Sequence, residues 1–210
     1  MLSARAYRRD ITDFWGTTLQ PASDEFLDPY GIDPAVYGQA LGYMVSTTSN
    51  VGNARVTGAE FDYRQNLVFL PRWARGLTVF GNITLQRRTG TQTTSFTGFV
   101  RKTINYGVTF SRQRFTARVA VNLRGQIDQG RVTGAGTEPN TFTYLQARAI
   151  ADVAAEYRLT RIFSVFLIGR NVNAANEDTV TYGPTTPRDR IVRGRINYGA
   201  NWYTGIKGTF

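Results

Sequence analysis

Trp202-Tyr203-Thr204-Gly205-Ile206-Lys207-Gly208-Thr209-Phe210 closes the chain and decides its fold class. Counting back by twos from Phe210 gives Gly208, Ile206, Thr204, Trp202, Ala200, Tyr198 and Ile196. The other register gives Thr209, Lys207, Gly205, Tyr203, Asn201, Gly199, Asn197 and Arg195. One set is apolar and aromatic, the other polar and cationic. A period of two with unlike faces is a β-strand lying between two different environments. The stretch is long enough to cross a bilayer, which takes a tilted strand of roughly 9–11 residues. A soluble edge strand of a β-sandwich would show the same alternation.

The same reading extends upstream. The spacing predicts a first strand from Leu2 to Phe14, then a long segment from Trp15 to Asn53, then a second strand from Ala54 to Leu67. A connection around Pro71-Arg72-Trp73 leads to a third strand, Leu77 to Arg87, and a Thr- and Gly-rich loop from Arg88 to Gly98. A fourth strand, Phe99 to Ser111, turns tightly at Arg112-Gln113 into a fifth, Phe115 to Arg124. After a loop from Asp128 to Phe142, a sixth strand runs from Tyr144 to Arg158. A tight turn at Leu159-Thr160-Arg161 precedes a seventh, Ile162 to Val172, and a loop from Asn173 to Val192 precedes the last. Short turns thus gather at one end and long loops at the other, as in outer-membrane barrels. Phe110 and Phe115, then Tyr157 and Phe163, flank two short turns on the apolar face. Rings in that position suit a membrane interface, or the base of a soluble barrel.

Composition narrows the function classes. The chain has 210 residues, 25 Lys and Arg against 15 Asp and Glu, a formal charge of +10, and neither cysteine nor histidine. Zinc fingers, disulfide scaffolds, cysteine nucleophiles and His-based triads are excluded. No apolar run approaches the ~18 residues of a membrane helix, so a membrane protein of this sequence must be a closed barrel. The arginines recur at alternate positions, as in Arg114, Arg118 and Arg124, and not in a basic run. That is a lumen wall or a solvated face, and no nucleic-acid partner is expected. Met1 to Asp10 contains no apolar signal core, and its residues already read as a strand. An exported protein beginning here would be a fragment.

Two segments go further. One runs from Thr48 through Gly58-Ala59-Glu60 to Leu70-Pro71 and Arg75-Gly76-Leu77; the other is Arg170-Asn171-Val172-Asn173 with Tyr182-Gly183-Pro184 and the closing residues. Together they resemble the C-terminal barrel region of TonB-dependent outer-membrane receptors. The terminal strand also resembles the assembly signal of outer-membrane barrels: Tyr203, Gly205 and Phe210 fit it, while Gly208 replaces the usual larger apolar residue. The resemblance implies an all-β fold of about eight antiparallel, up-and-down transmembrane β-barrel strands, part of a larger 22-stranded barrel. Residues 1–210 would be the C-terminal outer-membrane β-barrel segment, with the plug domain absent. It implies energised uptake of a large nutrient (a metal chelate such as a siderophore, cobalamin or a glycan) and the bacterial outer membrane as location. The implied partners are outer-membrane lipid, lipopolysaccharide and the barrel-insertion machinery, with TonB engaged only through N-terminal parts. Two alternatives stay open: a complete small eight-stranded outer-membrane protein with a structural or adhesive role, and a soluble ligand-binding β-barrel.

No enzyme, cofactor or metal site is expected. Glu60, Asp62 and Arg64 share one strand face, and paired carboxylates there could do acid–base work. Lumen-wall charge, balanced by neighbouring arginines, explains them without catalysis. Arg118, Arg124, Arg148, Asp152, Glu156 and Arg195 are expected on the same lumen-facing side. Charge must avoid lipid, where Arg or Lys at the midplane costs ~2–4 kcal/mol. Asp33-Pro34 would open a short helix to Leu41, Asp as N-cap and Pro at the first helical position. Tyr30, Tyr37 and Tyr43 in that long segment are candidate ligand-loop aromatics. Gly90, Gly98, Gly130, Gly134 and Gly136 sit in loops, without the strand-to-helix setting of a phosphate site.

Overall fold

The structure, a computed structural model, describes residues 1–33, 43–90, 97–132 and 136–208. The expected helix from Pro34 to Leu41, with Tyr37, and the positions Gly134 and Phe210 lie outside the described residues.

The elements in chain order are β1 (Leu2–Pro21), α1 (Asp24–Leu27), a 3-10 turn (Asp28–Tyr30), β2 (Met44–Asn66), β3 (Leu77–Gly90), β4 (Lys102–Arg112) and β5 (Phe115–Arg124). They continue with β6 (Ile127–Arg131), β7 (Phe142–Leu145), β8 (Arg148–Arg158), β9 (Phe163–Arg170) and β10 (Asn176–Tyr182). A 3-10 turn (Arg188–Arg190), β11 (Val192–Asn197) and β12 (Asn201–Gly208) complete the chain. Eight strands form one sheet in the order β1-β2-β3-β4-β5-β8-β9-β12, and four form a second in the order β11-β10-β7-β6. Every pairing with a described register is antiparallel. The fold is therefore all-β and antiparallel as expected, with β1 and β12 at the two edges of an open sheet order.

The chain divides into two compact units. Residues Arg9–Val56 and Arg88–Phe96 make one of them. Its small core contains Ala22, Leu27, Ala54 and Val56. Ser23 caps α1 by accepting the Phe26 N–H. Asp13, at φ 55, interrupts β1, and its carboxylate accepts from the Asn50 amide at 2.7 Å. The strand runs on to Pro21, past its expected end at Phe14.

Residues Met1–Arg8, Thr57–Arg87 and Thr97–Phe210 make the other unit. Its short links are built locally. Gln113-Arg114 join β4 to β5, with Gln113 at φ 53. Between β8 and β9, the Thr160 hydroxyl accepts from the Phe163 N–H at 2.9 Å and the Ile162 N–H at 3.1 Å. Before β3, Gly76 at φ 118 has no room for a side chain, since a Cβ would stand 2.2 Å from the Ser111 carbonyl oxygen.

Several expectations are corrected. The second strand begins at Met44 and not at Ala54, and the expected loop from Asn173 to Val192 contains β10. The segment from Asp128 to Phe142 is not loop throughout: β6 occupies its start and pairs with β7. The sixth strand splits into β7 and β8, which belong to different sheets. The last strand splits likewise, β11 pairing with β10 and β12 with β9. Gly199 at φ 64 causes that break: its N–H bonds the Asn197 side chain at 2.7 Å and its carbonyl accepts from Asn171 at 2.8 Å.

Candidate functional site

The larger sheet has two chemically opposite faces, and the register assigns each residue to one of them. Leu77, Val79 and Ile83 of β3 stand opposite Phe110, Val108 and Ile104 of β4. Those continue into Ala117, Val119 and Leu123 of β5, then Ala155, Val153 and Ala149 of β8. Tyr157 pairs with Val165 of β9, and Leu167 with Thr204 of β12. The result is one apolar face running across six strands. Ile206 is 72% exposed and Trp202 56%, and Val119, Leu167 and Tyr106 on the same face are exposed too. A contiguous exposed apolar surface of this breadth marks an interaction face, toward a membrane or another protein.

Aromatic rings gather where that face meets the short turns. Phe110 and Phe115 are 6.2 Å apart between centroids. Phe115 stands directly opposite Tyr157, Tyr157 opposite Val165, and Phe163 begins β9 two residues before Val165, at the turn end of the same face. The four rings expected from the sequence thus form one row across β4, β5, β8 and β9.

The opposite face is polar. Asn82, Asn105 and Asn122 are cross-strand neighbours. The Asn105 amide donates to Asn82 at 2.8 Å, and the Asn122 amide donates to Asn105. Arg118 shares this face, its guanidinium 4.7 Å above the Phe80 ring. That ring crosses Gly107, where a Cβ would stand 2.6 Å from Phe80 Cζ. Phe166 covers Gly205 in the same manner, and Tyr7 covers Gly58. Glycine on one strand thus seats an aromatic ring from the next, a pairing known to support sheets.

The charged residues singled out from sequence fall in several places. Glu60 accepts from Arg5 Nε at 2.5 Å, so its balancing cation is in β1. Asp62 and Arg64 lie on the same strand, and the Arg64 backbone exchanges hydrogen bonds with Met1 at 2.7 and 2.9 Å. Arg124 and Arg148 stand directly opposite each other on β5 and β8. Like charges in that position repel. Glu177 of β10 lies 3.5 Å from Arg124 and 3.3 Å from Arg148, bridging the two. Asp152 accepts the Asn171 N–H at 2.8 Å. Glu156 stands opposite Thr116 and Phe166. Arg195 belongs to β11 in the smaller sheet, where its guanidinium grips Asp178 by two bonds of 2.7 Å. That pair holds the Asp178 carboxyl below its usual range, the hydrogen bond being the main cause.

Tyr203 receives the Arg170 guanidinium 5.8 Å above its ring. Tyr30 packs against Phe26 with 5.5 Å between centroids, and both Tyr30 and Tyr43 are exposed.

Sequence reasoning missed what the Arg-Asn-Val-x-Asn stretch does. Asn171 sits at φ 52, its side chain accepting from Ala175 N–H at 2.9 Å and donating to Gly199. Asn173 donates to the Ala149 carbonyl and accepts from the Ala151 N–H, each at 2.9 Å. It thereby continues the β8 ladder after β9 has left it. Two asparagines at i and i+2 beyond a strand were the available signal. A second missed device is Glu138, which accepts the Thr185 N–H at 3.0 Å and the Thr185 hydroxyl at 2.6 Å.

The family description "TonB dependent receptor-like, beta-barrel" matches residues 1–172. The chain belongs to this family. No curated protein matches it in sequence. Among solved structures it is similar to a mutant of the ferric enterobactin receptor PfeA of Pseudomonas aeruginosa, at 19% identity and a TM-score of 0.62. Another PfeA mutant, in complex with enterobactin, gives 18% identity and a TM-score of 0.63. Both likenesses cover 100% of this chain and 29% of the receptor chain. They show the fold, and the chain spans less than a third of those receptors' length. Within the TonB-dependent receptor family, the two-faced sheet is a section of barrel wall.

Proposed function

We propose that this chain is the C-terminal barrel wall of a TonB-dependent outer-membrane receptor that takes up a large nutrient of the ferric-chelate type. The observation that carries the reading is the pair of opposite faces over β3, β4, β5, β8, β9 and β12. Their apolar side would meet lipid, with the Phe110–Phe115–Tyr157–Phe163 row at the periplasmic interface. The side bearing Asn82, Asn105, Asn122, Arg118, Asp152 and Glu156 would line the lumen. Glu60, Asp62 and Arg64 belong to that lining, while Arg124 and Arg148 lie at its outer end, beneath the smaller sheet. Arg195 would lie above the membrane.

The ligand reading rests on family membership and on the ferric enterobactin receptors among the structural relatives; cobalamin and glycans are the competing cargoes. TonB would act through other parts of the receptor. The open order of the larger sheet favours this reading over a self-closed eight-stranded barrel, and family membership favours it over a soluble binding barrel.

Spin labels at Val119 and Ala120 test the assignment of faces in the protein inserted in its membrane. Oxygen dissolved in lipid should relax the label at Val119 more, and a water-soluble nickel chelate the label at Ala120. Equal response at the two sites, or the reverse order, would sink the reading.

A further inference from the structure

The short turns of the larger sheet carry charge of one sign. Residues 67–76 join β2 to β3, residues 111–115 span the turn from β4 to β5, and residues 158–163 span that from β8 to β9. They hold six arginines, Arg72, Arg75, Arg112, Arg114, Arg158 and Arg161, and no carboxylate. All six are exposed, and among the described residues none of them makes an ion pair. The nearest carboxylate along the chain is Glu156, two residues before Arg158 on the polar face. The long-loop end differs, since Glu177 and Asp178 there take up Arg124, Arg148 and Arg195.

Hydrogen bonds set these cations in a line. The strand order β2-β3-β4-β5-β8-β9 makes the three turns neighbours, each two strands from the next. At ~4.8 Å between strands, successive turns stand roughly 10 Å apart. The Ser111 N–H donates to the Gly76 carbonyl at 2.9 Å, and the Arg158 N–H to the Arg114 carbonyl at 2.8 Å, so the ladders continue into the turns. From the middle turn, the Arg112 guanidinium reaches one way to the Trp73 carbonyl and the Arg114 guanidinium the other way to the Leu159 carbonyl, each at 3.3 Å. Both run along the rim toward a neighbouring turn. Each of these bonds uses one of five guanidinium donors and leaves the rest for a partner.

We propose that this rim docks an acidic polymer of the periplasm: the cell-wall glycan, through the carboxylates of its peptide stems. The inference rests on the reading that the short turns face the periplasm. A polymer that presents carboxylates at intervals engages several turns at once. Ion pairs that are weak singly then add, because each one made raises the effective concentration for the next. A phospholipid headgroup meets the rim only from the lipid side. Arg158 follows Tyr157 on β8 and takes the opposite face, away from that side.

The test uses the protein extracted from outer membranes in mild detergent and reads its co-sedimentation with purified cell-wall sacculi. Binding of the parent should saturate, should fall as salt rises, and should be lost on sacculi whose carboxylates have been amidated. Arg72→Gln/Arg161→Gln leaves the bonds of Arg112 and Arg114 in place and should weaken binding about fivefold, the sum of two exposed ion pairs. Arg188→Gln/Arg193→Gln removes the same charge at the long-loop end and should change nothing. Absence of binding by the parent, undiminished binding to amidated sacculi, unchanged binding in Arg72→Gln/Arg161→Gln, or equal loss in the long-loop control overturns the proposal. So does a response to these charges seen only with micelles of short-chain phosphatidylglycerol, which would give the rim to the inner leaflet. Heat-modifiable migration on gels confirms that each variant is folded. Placement of the turns is read separately. Val68, 73% exposed in the first turn, changed to cysteine as Val68→Cys should react with a membrane-impermeant maleimide only after the outer membrane is permeabilised. Labelling in intact cells would overturn the orientation whatever the sacculi show, so the two ideas fail by different readouts.

Discussion

The ring of Tyr7 rests on Gly58: a Cβ on that glycine would stand 2.5 Å from Cζ and 2.6 Å from the phenolic oxygen. Two residues further along β2, Glu60 takes the Arg5 guanidinium. The Gly-x-Glu pattern of β2 is therefore read by Arg5 and Tyr7 at the same spacing on β1. Gly58→Val should displace the ring and lower stability by about 1–3 kcal/mol, the usual range for overpacking. Adding Tyr7→Ala should recover part of the loss, measured as a shift in urea midpoint in a double-mutant cycle. Strictly additive costs would argue against the contact.

Gly107 should be less forgiving than Gly58. A Cβ there meets the Val119 carbonyl oxygen at 2.3 Å, as well as the Phe80 ring. Backbone in a paired ladder cannot rotate away as a side chain can. Gly107→Ala should therefore cost more than Gly58→Ala in the same urea assay, and Phe80→Ala should rescue it poorly.

Glu177 should matter mainly as a neutraliser. Glu177→Gln leaves Arg124 opposite Arg148 with no carboxylate between them, and directly opposed like charges destabilise a sheet by roughly 0.2–1 kcal/mol. The loss should shrink in high salt. Arg148→Gln added to Glu177→Gln should restore much of it. Thermal midpoints at low and high salt check both expectations, and salt-independence would count against them.

Asn171 combines a left-handed backbone with side-chain bonds that tie Ala175 and Gly199 together. Asn171→Gly keeps the backbone freedom but loses the bonds; Asn171→Ala loses both. Hydrogen exchange at the Ala175 amide should rise in both variants, and more for alanine. Equal protection in parent and variants would show that the bonds contribute nothing.

The Glu138 clasp should be insensitive to pH over most of the usual range. The Thr185 hydroxyl, above all, holds the Glu138 carboxyl below its ordinary value of 4.5. A depressed folded pKa gives stability that is fully present above the unfolded value and lost as pH falls through the folded one. Exchange protection at Thr185 should hold from pH 8 to about 5 and decline only below the ordinary carboxylate range. Loss of protection near neutrality would contradict the assignment.

The wall was legible in the sequence because each of its strands meets two unlike environments. Leu77, Val79 and Ile83 against Thr78, Phe80 and Asn82 fixes the face of every residue between them. The smaller sheet was not legible. Its strands are short, and β6 slips register between Asp128 and Gly130, so alternation never runs long enough to be counted. The break at Gly199 was hidden because the residues on both sides of it keep a period of two in sequence. The partners of the charged residues were hidden as well: Glu177, which joins Arg124 to Arg148, lies in a stretch that reads as loop.

The larger sheet runs from β5 directly to β8 and from β9 directly to β12, so each excursion returns beside its point of departure. The wall's own ladders close past them, and it is tied to the second excursion only through Asn171, Asn173 and Glu177 among the contacts described above. The excursions are also tied to each other, because β7 from the first is hydrogen-bonded to β10 from the second, from Thr179–Leu145 to Tyr182–Phe142. Residues 125–147 and 171–200 are thus two inserts in the sequence but one cassette in space. Transplanted together, they should carry their architecture onto another barrel; exchanged singly, each would present half a ladder to a stranger.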